Sequence, residues 1–171
     1  MSTIEQDLKR KVNVKKVVKA VKNIGSFALY SKSKDCTLLL TSCFIINLNE
    51  EQAWEMQCAL LVKELGKWYT VVKGEPIEAG PVKQEQVDVY YKTVKDDELN
   101  IIGFTELYLN NIALYADTNS GYVGVNQNYL EMIGSPMIKK SFTGSMVVAS
   151  DYHVLTIAKD TECDYLRALL F

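Results

Sequence analysis

The sequence predicts an α+β fold, mostly antiparallel sheet with two or three short helices. Two observations carry this. Apolar runs of strand length recur along the chain with short polar turns between them, and short connections join neighbouring strands antiparallel. Helical periodicity is confined to brief stretches, each opening on an asparagine (Asn13, Asn49 and Asn126) that can accept from the first turn. The 171 residues are 48% hydrophobic and 23% charged, an ordinary globular composition that excludes a disordered or collagenous chain. A chain of this length buries enough surface to fold without a metal or disulfide.

Taken in order, residues 1–12 read as an N-terminal helix or arm. Their apolar set, Ile4, Leu8 and Val12, lies on a different face from the set that follows. Asn13 caps a helix beginning at Val14. At roughly 100° per residue, Val14, Val17, Val18, Val21 and Ile24 gather on one side, while Lys15, Lys16, Lys19 and Lys22 gather on the other. Strands follow at 26–31, 36–41 and 43–48, with Lys32-Ser33-Lys34-Asp35 as a polar turn. Asn49 caps a second helix, with Glu50 and Glu51 in its first turn, where the dipole favours acids. Trp54, Cys58, Leu61 and Leu65 form its expected core stripe, and Gly66 its stop. A strand at 68–72 leads into a loop over 74–86, rich in Gly and Pro. Strands are expected at 87–94, 99–109, 112–116 and 122–125. Asn126 opens a third helix through Ile133, and strands at 137–142, 145–149 and 153–157 follow. Residues 13–160 thus form a single α+β domain, and 161–171 a C-terminal tail that is a short helix or a docked segment.

Charge is unevenly divided. Residues 1–34 carry nine basic and two acidic groups, a net of +7, and no acid stands between Leu8 and Lys34. The rest of the chain carries ten basic and nineteen acidic groups, a net of −9. Such a split suggests an end that faces a polyanion and an acidic outer body. The lysine face of the first helix either meets phosphates, releasing condensed counterions, or serves only as a solvated surface. Aromatic residues do not interleave with the lysines, so base stacking is not indicated. A membrane surface is a poorer fit, because the apolar side is valine-rich and lacks Trp, Phe and Leu.

The sequence carries no catalytic signature, and the protein is expected to be no enzyme. Its single histidine, His153, falls in an apolar strand near Asp151, where a structural role is the ordinary one. Cys36, Cys43, Cys58 and Cys163 include no close-spaced pair, so they read as neither a disulfide framework nor a zinc site. Cys163 stands between acids, which blunts a thiolate. Asp96-Asp97-Glu98 reads as a solvated turn without the ligand spacing of a calcium loop. No glycine-rich loop leads into a helix with Lys-Ser or Lys-Thr. No cofactor and no metal are expected. No apolar run approaches the ~20 residues of a membrane span, and the basic N-terminus lacks the apolar stretch of a secretory signal. The expected location is cytoplasmic.

A helix followed by three strands occurs near the beginning and again near the end. This pairing resembles the building block of DNA sliding clamps, the processivity factors of replication. In that family each domain holds two such units, with their helices lining the inner face of a ring and their sheets forming its wall. Val125-Asn126-Gln127-Asn128-Tyr129-Leu130 resembles the family's strand-to-helix entry. Ser135-Pro136-Met137-Ile138 is similar to the strand after that helix, and Asp151 to Ala158 to the closing strand of bacterial clamps. Thr41-Ser42-Cys43-Phe44-Ile45-Ile46 echoes the Thr-Asp-Gly strand turn of the first unit, with Ser42-Cys43 in place of Asp-Gly. Ala158 stands where a proline is expected, and the chain holds one such domain where family members carry two or three.

The resemblance spans about residues 13–158, with an insertion around 50–86, and a lone domain suits a compact phage or mobile-element protein. It implies that Lys15, Lys16, Lys19 and Lys22 occupy the place of the inner-helix basic residues. The second inner helix departs from the family, since Glu131 is its only charge. The tail residues Leu166, Leu169, Leu170 and Phe171 are similar to the short apolar peptides that dock on bacterial clamps, though without their usual Gln. They either enter a partner's pocket or pack on the domain's own core. The expected function is DNA association through the basic helix, as a clamp-like accessory factor. The alternative is a protein-interaction module, an inhibitor or adaptor, working through its acidic body or its tail. The corresponding partners are the DNA backbone, or a protein partner or second copy.

Overall fold

The structure, a computed structural model, describes residues 12–33, 36–88, 100–117, 121–132, 139–141, 146–149 and 153–156. Helix α1 spans Val14–Ile24 and is fixed at both ends. The Asn13 side chain accepts from the Lys16 N–H, and Gly25 closes the helix at φ 86°, donating to the Val21 carbonyl. Strands β1 (Ser26–Ser33), β2 (Cys36–Leu40) and β3 (Phe44–Leu48) follow as a meander. The β2–β3 turn is set by Thr41, whose hydroxyl accepts from the N–H groups of Cys43 and Phe44 at 3.1 and 2.9 Å. Helix α2 covers Glu50–Leu60 and opens on a capping box between Asn49 and Gln52. Strands β4 (Lys67–Val72) and β5 (Glu75–Pro81) form a hairpin through Lys73 and Gly74, both at positive φ. The second half contributes β6 (Asn100–Leu109), β7 (Ile112–Asp117), β8 (Gly121–Asn126), α3 (Gln127–Met132), β9 (Lys139–Ser141), β10 (Met146–Ala149) and β11 (His153–Thr156).

Among the described residues, these eleven strands form one sheet in the order β5-β4-β1-β2-β3-β11-β10-β9-β6-β7-β8, and every recorded pairing is antiparallel. The α+β class with mostly antiparallel sheet is therefore as the sequence predicts. About the β3–β11 junction the order is nearly symmetric, with β1-β2-β3 on one side and β11-β10-β9 on the other, flanked by two further strands and by three. The third strand of the first helix-and-three-strand unit, β3, pairs with the last strand of the second, β11, in the register His153↔Ile46 and Leu155↔Phe44.

One face of the sheet carries all three named helices. Phe27, Leu29, Leu39, Phe44, Ile46 and Leu48 meet Val17 and Val21 of α1, Met56 and Leu60 of α2, and Leu130 and Met132 of α3. Ala113, Tyr115 and Val125, from the far end of the strand order, join the same cluster, so the sheet curls around the helices. The opposite face buries Ala28, Leu38, Leu40 and Ile45 under Val87. There a turn of helix over 84–88 is tied down by the indole N–H of Trp68, which donates to the Gln86 side chain at 2.9 Å.

Four expectations are corrected. The loop at 74–86 contains β5. Pro76 and Pro81 suggest a loop, but β5 is an edge strand, where the absent N–H groups cost nothing. The strand expected at 87–94 begins instead in the helical turn at 84–88; its remainder lies outside the described residues. Helix α2 ends at Leu60, with Leu61 in the left-handed region at φ 59°, rather than at Gly66. Its buried stripe is Ala53, Met56 and Leu60, whereas Trp54 is 65% exposed and Leu61 61%. Apolar residues stand on both sides of this helix, so periodicity alone could not rank the two stripes. The N-terminal arm at 1–11, the acidic turn at 96–98, the segment 135–138, Asp151, and the tail with Cys163, Leu166, Leu169, Leu170 and Phe171 lie outside the described residues.

The inverted stripe has a measurable consequence. Met56→Ala empties a fully buried site and should cost about 2–5 kcal/mol in chemical denaturation. Trp54→Ala, despite deleting a larger side chain, should shift stability by no more than about 0.5 kcal/mol.

Candidate nucleic-acid interface

Lys15, Lys16, Lys19 and Lys22 are all exposed on α1, opposite the fully buried Val17 and Val21. The lysine face is thus an ordered surface on a helix held by the core. Burial stabilises each valine by about 1.5–3 kcal/mol. Repulsion between lysines three or four residues apart costs only about 0.2–0.5 kcal/mol per pair. Packing wins, and the helix can carry a row of like charges that it would not hold in isolation.

The four lysines divide into two groups. Lys15, Lys19 and Lys22 fall within about 60° of arc, along roughly 10 Å of helix. Lys16 is rotated away from them toward α3. Its ammonium lies 3.5 Å from the Glu131 carboxylate, with both side chains about half exposed (51% and 48%). A pair this open to water contributes about 0–1 kcal/mol. Lys15, Lys19 and Lys22 form no ion pair with any described residue.

The dipole of α1 opposes this arrangement. Its first turn contains no acid and two lysines, at the end where N–H groups already leave partial positive charge; only Lys22, in the last turn, has a favourable position. Helix α2 alongside follows the stabilising rule at its N-terminus, with Glu50 and Glu51 in its first turn. Helix stability therefore does not account for where the lysines of α1 stand.

Helix α3 packs beside α1, and the two are joined end to end. The Asn13 N–H donates to the Met132 carbonyl at 2.7 Å, so the positive end of α1 meets the negative end of α3. Tyr129 anchors α3 from below: its ring lies 5.2 Å from that of Phe44, and it hydrogen-bonds Cys43. Burial, and that bond, hold the phenol well above its ordinary pKa, so it stays protonated. The outer side of α3 offers the exposed polar Asn128 and Glu131.

The remaining candidates are not brought together as a catalytic set. Cys36 and Cys43 are partly buried near the β2 and β3 strand ends, and Cys58 is exposed on α2. His153 stands in β11 opposite Ile46. Among the described residues, no group of three His, Cys, Asp or Glu side chains is placed to hold a metal ion, and no helix is long and apolar enough to cross a membrane. Two exposed groups escaped the sequence reading. One is the outer stripe of α2. The other is Phe104 and Tyr108 on β6, whose rings meet edge to face with centroids 5.0 Å apart across a bulge at Glu106. In a strand, alternation is the only signal, and that bulge breaks it.

The caps of α1 support the lysine face and can be tested singly. Asn13→Ala should lower stability by about 1 kcal/mol. Gly25→Ala should cost about 1–2 kcal/mol through its left-handed backbone alone, since nothing lies within 4 Å of an added Cβ. Denaturation midpoints measure both. No known protein family, curated protein or solved structure matches the chain.

Proposed function

We propose that the protein is a non-enzymatic, DNA-associated accessory factor that binds the phosphate backbone through α1, resembling a single sliding-clamp domain. The observation that carries this reading is the placement of Lys15, Lys19 and Lys22. They form an exposed cationic row, unpaired among the described residues, that begins with Lys15 in the first turn, where the helix dipole disfavours a cation. Phosphates answer such a row, because each one neutralised releases a condensed counterion. The nearly symmetric strand order, with a helix packed beside α1 from the second unit, supports the clamp-like comparison. Lysine contacts phosphate as a point charge, so binding tolerates any base sequence.

The direct test is titration of labelled duplex DNA at several salt concentrations, followed by fluorescence anisotropy. The log–log slope should fall between about −2.7, for three lysines engaged, and −3.6, for four. The triple variant K15E/K19E/K22E should lose binding while keeping its far-UV circular dichroism. Unrelated duplex sequences should bind equally well. Absence of salt-sensitive binding by the unaltered protein at low ionic strength would defeat the proposal.

Glu131 acts in this scheme as a brake on Lys16. Glu131→Gln should tighten DNA binding by up to about fivefold, the worth of an exposed ion pair, and steepen the slope by about 0.9. Glu75→Gln, the same charge change on the outlying strand β5, should leave both unchanged.

A further inference from the structure

Helix α2 turns one apolar face inward and another outward. Trp54 and Cys58 are exposed one turn apart on α2, and the apolar surface runs on past the helix end through Leu61, its left-handed C-cap, to Leu65 (36% exposed) in the loop beyond. Large apolar side chains scattered singly over a surface need no account, but a contiguous row does. The charges beside the row are arranged by sign. Glu51 and Glu55 stand at its N-terminal end and Lys63 just beyond its C-terminal end; all three are exposed, and none forms an ion pair with a described residue.

We propose that this face is a self-association surface, on which α2 of one copy packs antiparallel against α2 of a second about a two-fold axis near Cys58. The antiparallel direction sets Glu55 of each copy toward Lys63 of the other and opposes the two helix dipoles. A parallel pair would face acid with acid and Lys63 with Lys63. A two-fold contact uses one patch twice, which requires a patch complementary to itself, as this one is. A basic apolar peptide from another protein would satisfy the acids and leave Lys63 unmatched. The helix is only about 16 Å long. The contact therefore buries less than the ~1,200–2,000 Å² of a stable interface, and the dimer is reversible.

Sedimentation velocity on the full chain, from micromolar to near-millimolar concentration, tests this independently of any DNA binding. The average mass should rise toward twice that of one chain. Trp54→Ala and Leu61→Asn, both at exposed positions, should return it to the single-chain value. Glu55→Lys and Lys63→Glu should each weaken the dimer, and the two together should restore it. A short bismaleimide should join two copies, and Cys58→Ser should prevent this. A single-chain mass at every concentration would overturn the proposal. So would a dimer undiminished by W54A and L61N, or a charge swap that fails to rescue. Quenching of Trp54 by a Lys-rich apolar peptide, with no self-association, would assign the face to a foreign partner instead.

Discussion

Val17 and Val21 have no exposed surface, and their burial against the sheet fixes the rotation of α1 about its axis. The direction of the lysines follows from that constraint. A helix free to roll would present an average of its faces. This one is pinned by two valines, capped by Asn13 and Gly25, and joined through its first N–H to the end of α3. Burial outweighs the repulsion among the lysines several times over, so the fold rather than the helix itself supports the charge.

The two neighbouring helices show how the same element is put to opposite uses. In α2 the capping box and the first-turn glutamates all favour the helix, and the residues that stability does not need, Trp54 and Leu61, remain apolar and exposed. In α1 the first turn carries two lysines and no acid, against the dipole, and the charged groups of the exposed side are all cationic. Each helix contributes one stripe to the common core and has a second stripe to spare. One spare stripe is charged and the other oily, which suits them to different kinds of surface.

What could be read from the chain was local. Asn13 and Asn49 announce their helices because a cap acts within three residues. The valine and lysine sides of α1 separate cleanly because charge and hydrophobicity fall on opposite arcs. Strands such as 36–40 and 44–48 stand out because both faces of the sheet are buried there, leaving unbroken apolar runs. The inner side of α2 was not legible, since Met56 and Leu60 offer no more hydrophobicity than Trp54 and Leu61. β5 was hidden because only its place at the sheet edge excuses its prolines. The meeting of Lys16 with Glu131 depends on the sheet curling until α3 lies beside α1, and nothing near residue 16 encodes that. The four lysines were visible as a set; their division into three and one was not.

The pairing at the middle of the sheet also bears on how the chain reaches this state. Phe44–Ile46 is bonded along one side to residues 153–155, so the intervening segment must be made and gathered before that ladder can close. Without β11, β3 pairs only with β2, and its other, apolar edge is a template for any stray strand nearby. Loop closure over so many residues is slow relative to hairpin formation. Among the described strands β11 is the last to be synthesised, and its pairing with β3 is what closes that edge.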